Sequence, residues 1–221
     1  MRFGKFKDRF DAGRQLAQRL VTLDLEDPVV FALPRGGVPV GYEVARALGA
    51  PLDVLVARKI GHPMQPELGL GAIAEGGEPQ LDARLLSATG MTVEDLRESA
   101  ATAREELLER IEEYRGVAHR IDAQGRTAIL VDDGLATGVT ARAALGALAR
   151  RGASRRILAV PVCSGGTAER LEGEADQVIC IHAPAVFRAV GQAYQNFGQT
   201  SDEEVSALLR QARADLPVSE S

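Results

Sequence analysis

Ile129–Ala144 reads ILVDDGLATGVTARAA. A strand of branched apolar residues ends in two adjacent carboxylates, Asp132 and Asp133. A turn of small residues follows, holding Ala136, Thr137, Gly138 and Thr140, and a helix begins at Val139. In an open parallel sheet, ligands bind beyond the carboxyl ends of the strands. Backbone N–H groups at a helix start have no intrahelical partners and favour a dianionic phosphate. Gly138 lets the main chain approach such a group closely, and Thr137 and Thr140 add hydroxyl donors. The two aspartates cannot take the phosphate. They suit vicinal ribose hydroxyls, either by accepting hydrogen bonds or through an intervening Mg2+. Carboxylates for a sugar beside amides for its phosphate make a ribose 5-phosphate clamp.

The same strand–loop–helix order recurs near the start of the chain. Pro28–Leu33 (PVVFAL) has strand length and is broken by Pro34 and the pair Gly36–Gly37. Val38–Leu48 reads as a helix ended by Gly49, and Leu52–Ala57 (LDVLVA) as the next strand. This β-α-β unit predicts parallel pairing with a right-handed crossover. Downstream of the acid pair, the helix VTARAALGALARRG leads to a strand RRILAVPVC, a short helix around Thr167–Leu171 and a strand Gln177–Ile181. Arg9–Leu23 reads as an amphipathic first helix and Ser201–Ala212 as a last one.

Between these units, Arg58–Pro66 (RKIGHPMQP) shows no period and is expected to be a mobile loop. Leu70–Glu75 and Pro79–Asp82 read as short strands around the Glu75-Gly76-Gly77 turn. A helical stretch follows, opened by Thr92 and Asp95 in a capping-box spacing.

The bulk numbers agree with one large α/β domain. The chain has 221 residues, 45% hydrophobic and 26% charged, with a formal net charge of −5. That balance gives no global field for nucleic acid. No apolar run reaches membrane-span length and no signal-peptide pattern opens the chain, so a cytoplasmic protein is expected. Cys163 and Cys180 stand between apolar neighbours and are expected to be buried free thiols. His62, His119 and His182 are too scattered for a zinc site. Gly69–Ala74 imitates a dinucleotide fingerprint but lacks its preceding long strand and following helix.

The run LVDDGLATGVT resembles the signature loop of the type I phosphoribosyltransferases, with Asp132-Asp133 and Thr137-Gly138 on its fixed positions. Leu33–Gly37 stands where that family places its pyrophosphate loop, so Arg35, Gly36 and Gly37 are candidate pyrophosphate contacts. Arg58 and Lys59 enter the loop that closes over the site in these enzymes, and a cation there would offset charge on departing pyrophosphate. The segment VFRAVGQAYQNF is similar to the aromatic tail of the 6-oxopurine enzymes, which makes Phe187, Tyr194 and Phe197 candidates for base stacking or hood contacts.

The resemblance spans roughly 28–197 and departs from the 6-oxopurine pattern in two places. Ala136 replaces the acidic general base, and the Gly191–Tyr194 stretch lacks an acid for a second metal. It implies an α/β fold with an open parallel sheet flanked by helices. A hood from about 1–27 and 184–221 and a helical insertion at about 83–122 complete that picture. It also implies 5-phosphoribosyl-1-pyrophosphate and Mg2+ as ligands, Asp132 and Asp133 meeting the metal through ribose hydroxyls or water, and an acceptor nitrogen left unnamed. Dimerisation is common in the family, and no residue here establishes it. A ligand-sensing domain without catalysis is the competing class.

Overall fold

Alternation along the central strands sorts their apolar residues onto two faces. The computed structural model describes residues 4–116 and 120–216. In chain order its elements are α1 (Arg9–Leu20), β1 (Pro28–Ala32), α2 (Gly37–Leu48), β2 (Leu52–Val54), β3 (Ala57–His62), β4 (Gln65–Ala74) and β5 (Gln80–Leu81). They continue with α3 (Ala83–Thr89), α4 (Arg97–Arg115), β6 (Thr127–Val131), α5 (Val139–Arg150), β7 (Arg155–Val162), α6 (Thr167–Leu171), β8 (Gln177–His182) and α7 (Asp202–Ala214). His119 and the segment 217–221 lie outside the described residues.

Five strands form an all-parallel sheet in the order β2-β1-β6-β7-β8. Val30, Ala32, Ile129 and Val131 face a core shared with α1, α2 and α7. Their neighbours Val29, Phe31, Ala128 and Leu130 face a second core shared with α5. Both sheet faces are thus covered, as a parallel sheet requires. The pairing of β1 with β6 runs from Pro28–Thr127 to Ala32–Val131. The loops leaving their carboxyl ends therefore emerge side by side, although they stand far apart in the sequence.

Two sequence expectations fail between β2 and β4. The strand expected over Leu52–Ala57 leaves the parallel sheet after Val54, and Ala57 already belongs to a second, antiparallel sheet ordered β3-β4-β5. Arg58–Pro66 is consequently not a loop. It is the turn end of a β-hairpin, with His62 opposite Gln65 and only Pro63-Met64 at the turn. Glycine and proline disguised it: the register shifts around Gly61, and Pro66 lies where β4 has no pairing with β5.

At the chain ends, Val205, Leu208 and Leu209 of α7 and Leu16 and Leu20 of α1 belong to the main core, while Phe6, Ala12 and Tyr194 form a small cluster of their own. Cys163 is buried and Cys180 half-buried, both as free thiols. Among the described residues no helix is long and apolar enough to cross a membrane.

The end of α4 is tied to the sheet by an interior ion network. Asp53, fully buried in β2, accepts from Arg115 Nη1 at 2.7 Å and from the Ile121 amide at 3.0 Å. Arg115 Nη2 also donates to both carboxylate oxygens of Glu75, at 3.0 and 2.9 Å. Removing one partner of such a pair strands the other in low dielectric. Arg115→Met is therefore expected to cost about 3–5 kcal/mol of stability, read from urea unfolding. A variant as stable as the parent would remove this network from the fold's supports.

Candidate active site

The site grows from the contact between the two loops that β1 and β6 bring together. Leu33 N donates to Val131 O at 2.9 Å, so the Pro34–Gly37 turn begins flush against the acid pair. Only glycine fits the next two positions. A Cβ at Gly36 would collide with Asp133 Oδ2, and one at Gly37 would stand 2.8 Å from Val131 O and 3.0 Å from Asp132 Cα. The Pro34–Arg35 peptide is cis. On the far side of the acids, Gly138 takes φ +78 as the N-cap of α5, a left-handed conformation natural to glycine. The helix-start amides of Val139 and Thr140 follow directly.

A cleft of about 560 Å3 opens here. Asp132, Asp133, Ala136, Thr137, Gly138 and Thr140 line one wall, and Arg58 and Lys59 of β3 line another. Ala136 and Thr137 are exposed to it. The Ala136 carbonyl is held from behind by the hydroxyls of Ser164 and Thr167, each at 2.9 Å. Lys59 is exposed and close enough to Asp132 to favour its ionised form. Arg58 Nε lies 3.6 Å from Glu106 Oε2 and has no hydrogen-bond partner among the described residues. Glu67 and Glu106 also line the cleft. Neither carries a local motif that marks it in the sequence.

The two aspartates are not equivalent. Asp133 is claimed by α1: Arg9 Nε donates to its Oδ2 at 2.8 Å, while the Arg9 guanidinium lies 4.0 Å over the Phe197 ring. Among the described residues no arginine forms a salt bridge with Asp132. Its Oδ1 accepts from the Asp133 amide at 2.8 Å. Burial pushes the Asp132 carboxyl well above its ordinary range, and the neighbouring Asp133 charge adds to that. Burial also raises Asp133, with Arg9 opposing. No group of three or more metal-ligating side chains occurs among the described residues. Two carboxylates without a protein cage suit a Mg2+ that shares its coordination with a phosphorylated ligand and water.

Three of the sequence-derived candidates stand elsewhere. The Arg35 side chain turns away from the cleft, its Nη1 3.2 Å from Asp202 Oδ2, because Asp202 opens α7 beside it and also pairs with Arg110 at 2.9 Å. Tyr194 is buried, its ring 5.5 Å from Phe6 and 5.1 Å from Phe197, and its hydroxyl donates to the Asp133 carbonyl at 2.6 Å. It braces the acid pair from behind and presents no face to a ligand. Phe187 lines a neighbouring cavity of about 510 Å3 with His182, Lys5 and Gln192. Arg9 had no signal in the sequence, since 124 positions separate it from Asp133.

The raised Asp132 carboxyl sets a pH dependence. A group whose pKa is higher folded than unfolded stabilises the fold below its unfolded value, here near 3.8, and that contribution is lost as pH rises through the folded value. Asp132→Asn keeps the acceptor for the Asp133 amide and loses the titration. The variant is expected to melt higher than the wild type at pH 7, with the gap closing toward pH 4. A variant that melts lower at pH 7 would contradict the assignment.

The phosphoribosyl transferase domain model matches residues 4–195. A Mycobacterium tuberculosis H37Rv protein, named provisionally as a phosphoribosyl transferase, is 50% identical over 214 residues, 96% of this chain and 48% of that protein. The chain thus spans about half the length of the curated relatives it matches. The crystal structure of TT1426 from Thermus thermophilus is 44% identical, covers 94% of this chain and 99% of its own, and superposes with a TM-score of 0.80. With the acid pair, the small-residue turn and the helix start in one cleft, and a family model spanning them, the chain belongs to the type I phosphoribosyltransferase family.

Proposed function

We propose that this chain transfers the phosphoribosyl group of 5-phosphoribosyl-1-pyrophosphate, as its Mg2+ complex, to a nitrogen acceptor. The observation that carries this reading is that Asp132, Thr137, Gly138, Thr140 and Lys59 line one cleft. The α5 amides and the hydroxyls of Thr137 and Thr140 hold the 5-phosphate, and the helix start adds its dipole. Asp132 accepts from the ribose diol, with Asp133 held in place by Arg9. Bound Mg2+ supplies charge neutralisation on the pyrophosphate oxygens.

The C1–oxygen bond to pyrophosphate breaks, the acceptor nitrogen bonds C1, and the acceptor's proton leaves that nitrogen. Charge grows on the leaving oxygens, where Lys59 and Arg58 and the amides of Arg35 and Gly36 meet it. The Arg35 side chain, paired with Asp202, contributes by holding that turn. Ala136 has no acid or base to offer, so the acceptor is one that gives up its proton to water or to another group. The cavity holding Phe187 is the natural acceptor site. Gly134 of the cleft packs against Val190 and against Val162 of that cavity's wall, so closely that a Cβ would stand 2.6–2.7 Å from their methyls.

A sensor that binds the sugar pyrophosphate without turnover is the second reading, favoured by Ala136. Incubation with Mg2+, 5-phosphoribosyl-1-pyrophosphate and a panel of nucleobases and amines separates the two. Acceptor-dependent pyrophosphate release is expected, and tight binding without it would leave the sensor. Lys59→Ala should lower kcat/KM by roughly a hundredfold to a thousandfold, with 5-phosphoribosyl-1-pyrophosphate binding changed far less.

A further inference from the structure

At the end of α5 away from the acid pair lies a separate cavity of about 360 Å3. It is lined by Gly76, Ile121, Asp122 and three arginines, Arg120, Arg150 and Arg151. Cations at the end of a helix are ordinary, because they answer its dipole. Arg151 is not ordinary. Its side chain is 8% exposed. Nη2 reaches the Glu75 carbonyl at 3.3 Å and lies 3.4 Å from Glu75 Oε1. Nε and Nη1 are buried and meet no acceptor among the described residues. Buried charged donors without acceptors are rare, since nothing offsets their lost hydration.

Two of the nearby carboxylates are already committed to Arg115. Glu75 takes two hydrogen bonds from Arg115 Nη2, and Asp53 takes Arg115 Nη1. Asp122, the carboxylate on the cavity wall, accepts from the Gln124 amide at 3.1 Å through Oδ1. Burial depresses the Arg151 pKa, and repulsion from Arg120 and Arg115 adds to it, against attraction from Glu75 and Asp53. An anion would satisfy these donors and offset the repulsion together.

We propose that this cavity binds a phosphate group, free or carried by a small molecule, with Arg151 Nε and Nη1 as interior donors and Arg120 and Arg150 as outer cations. Guanidinium is the side chain suited to phosphate. A nucleic-acid backbone fits less well, because the chain's net charge is −5 and the Arg151 side chain is only 8% exposed. The site stands apart from the ribose 5-phosphate clamp and would be occupied whether or not the transferase reaction occurs.

Inorganic phosphate titrated calorimetrically into the full chain tests this, with melting temperatures as the control for folding. The wild type is expected to show two classes of site. Thr137→Val with Thr140→Val should weaken the clamp class and spare the other. Arg120→Gln with Arg150→Gln should do the reverse, weakening the cavity class by roughly tenfold or more. Arg120→Gln alone, at an exposed residue, weakens the same class should the double variant not fold. Arginine variants that bind phosphate as the wild type does would overturn the proposal. So would a wild type whose phosphate binding is lost entirely with the two threonines. Repeating the titration with ribose 5-phosphate and with a nucleoside monophosphate separates a free phosphate from a carried one.

Discussion

The parallel pairing of β1 with β6 holds two loops from distant parts of the chain in contact, and the site depends on that contact. Gly36 and Gly37 carry no side chain, so the turn they occupy can lie directly on Asp132 and Asp133. Any larger residue would push the acid pair away from the sheet edge. The same closeness removes water from Asp132 and raises its carboxyl, so the geometry that builds the cleft also makes the fold hold a reluctant charge. Sites that trade stability for a prepared electrostatic environment follow this logic.

A second layer of support comes from the two ends of the chain. Arg9 holds the Asp133 carboxylate, Tyr194 holds its carbonyl, and Phe197 stacks beneath Arg9. One acid is therefore fixed from outside the sheet and the other faces the cleft. On the opposite flank, Asp202 gathers Arg35, Arg110 and the Tyr114 hydroxyl at 2.6 Å, joining the 34–37 turn to α4 and α7. Helix α4 is thereby coupled to the turn as well as packed beside it.

Much of this was legible because it is local. Branched strands, the acid pair, Gly138 and the helix of small residues occur in order within Ile129–Ala144, and the parallel sheet follows from two such units. What could not be read was tertiary. The β3–β4 hairpin hides behind Gly61, Pro63 and Pro66, residues that signal a loop unless a partner strand is known. Arg9, Glu67 and Glu106 reach the cleft from elements with no motif of their own. Arg35 matched its family position, yet its side chain follows Asp202, a partner 167 residues away. Tyr194 matched a ligand-contact pattern and serves as a brace, because its hydroxyl finds a carbonyl that only folding brings near.

If the cleft works as proposed, the ribose diol lies on Asp132 and the 5-phosphate on the start of α5. A crystal structure of the chain with Mg2+ and 5-phosphoribosyl-1-pyrophosphate decides this. The diol is expected within hydrogen-bond distance of Asp132, the 5-phosphate against the Thr137–Thr140 amides, and the pyrophosphate between the 34–37 turn and Lys59. A 5-phosphate bound elsewhere, with Asp132 facing no sugar hydroxyl, would contradict it.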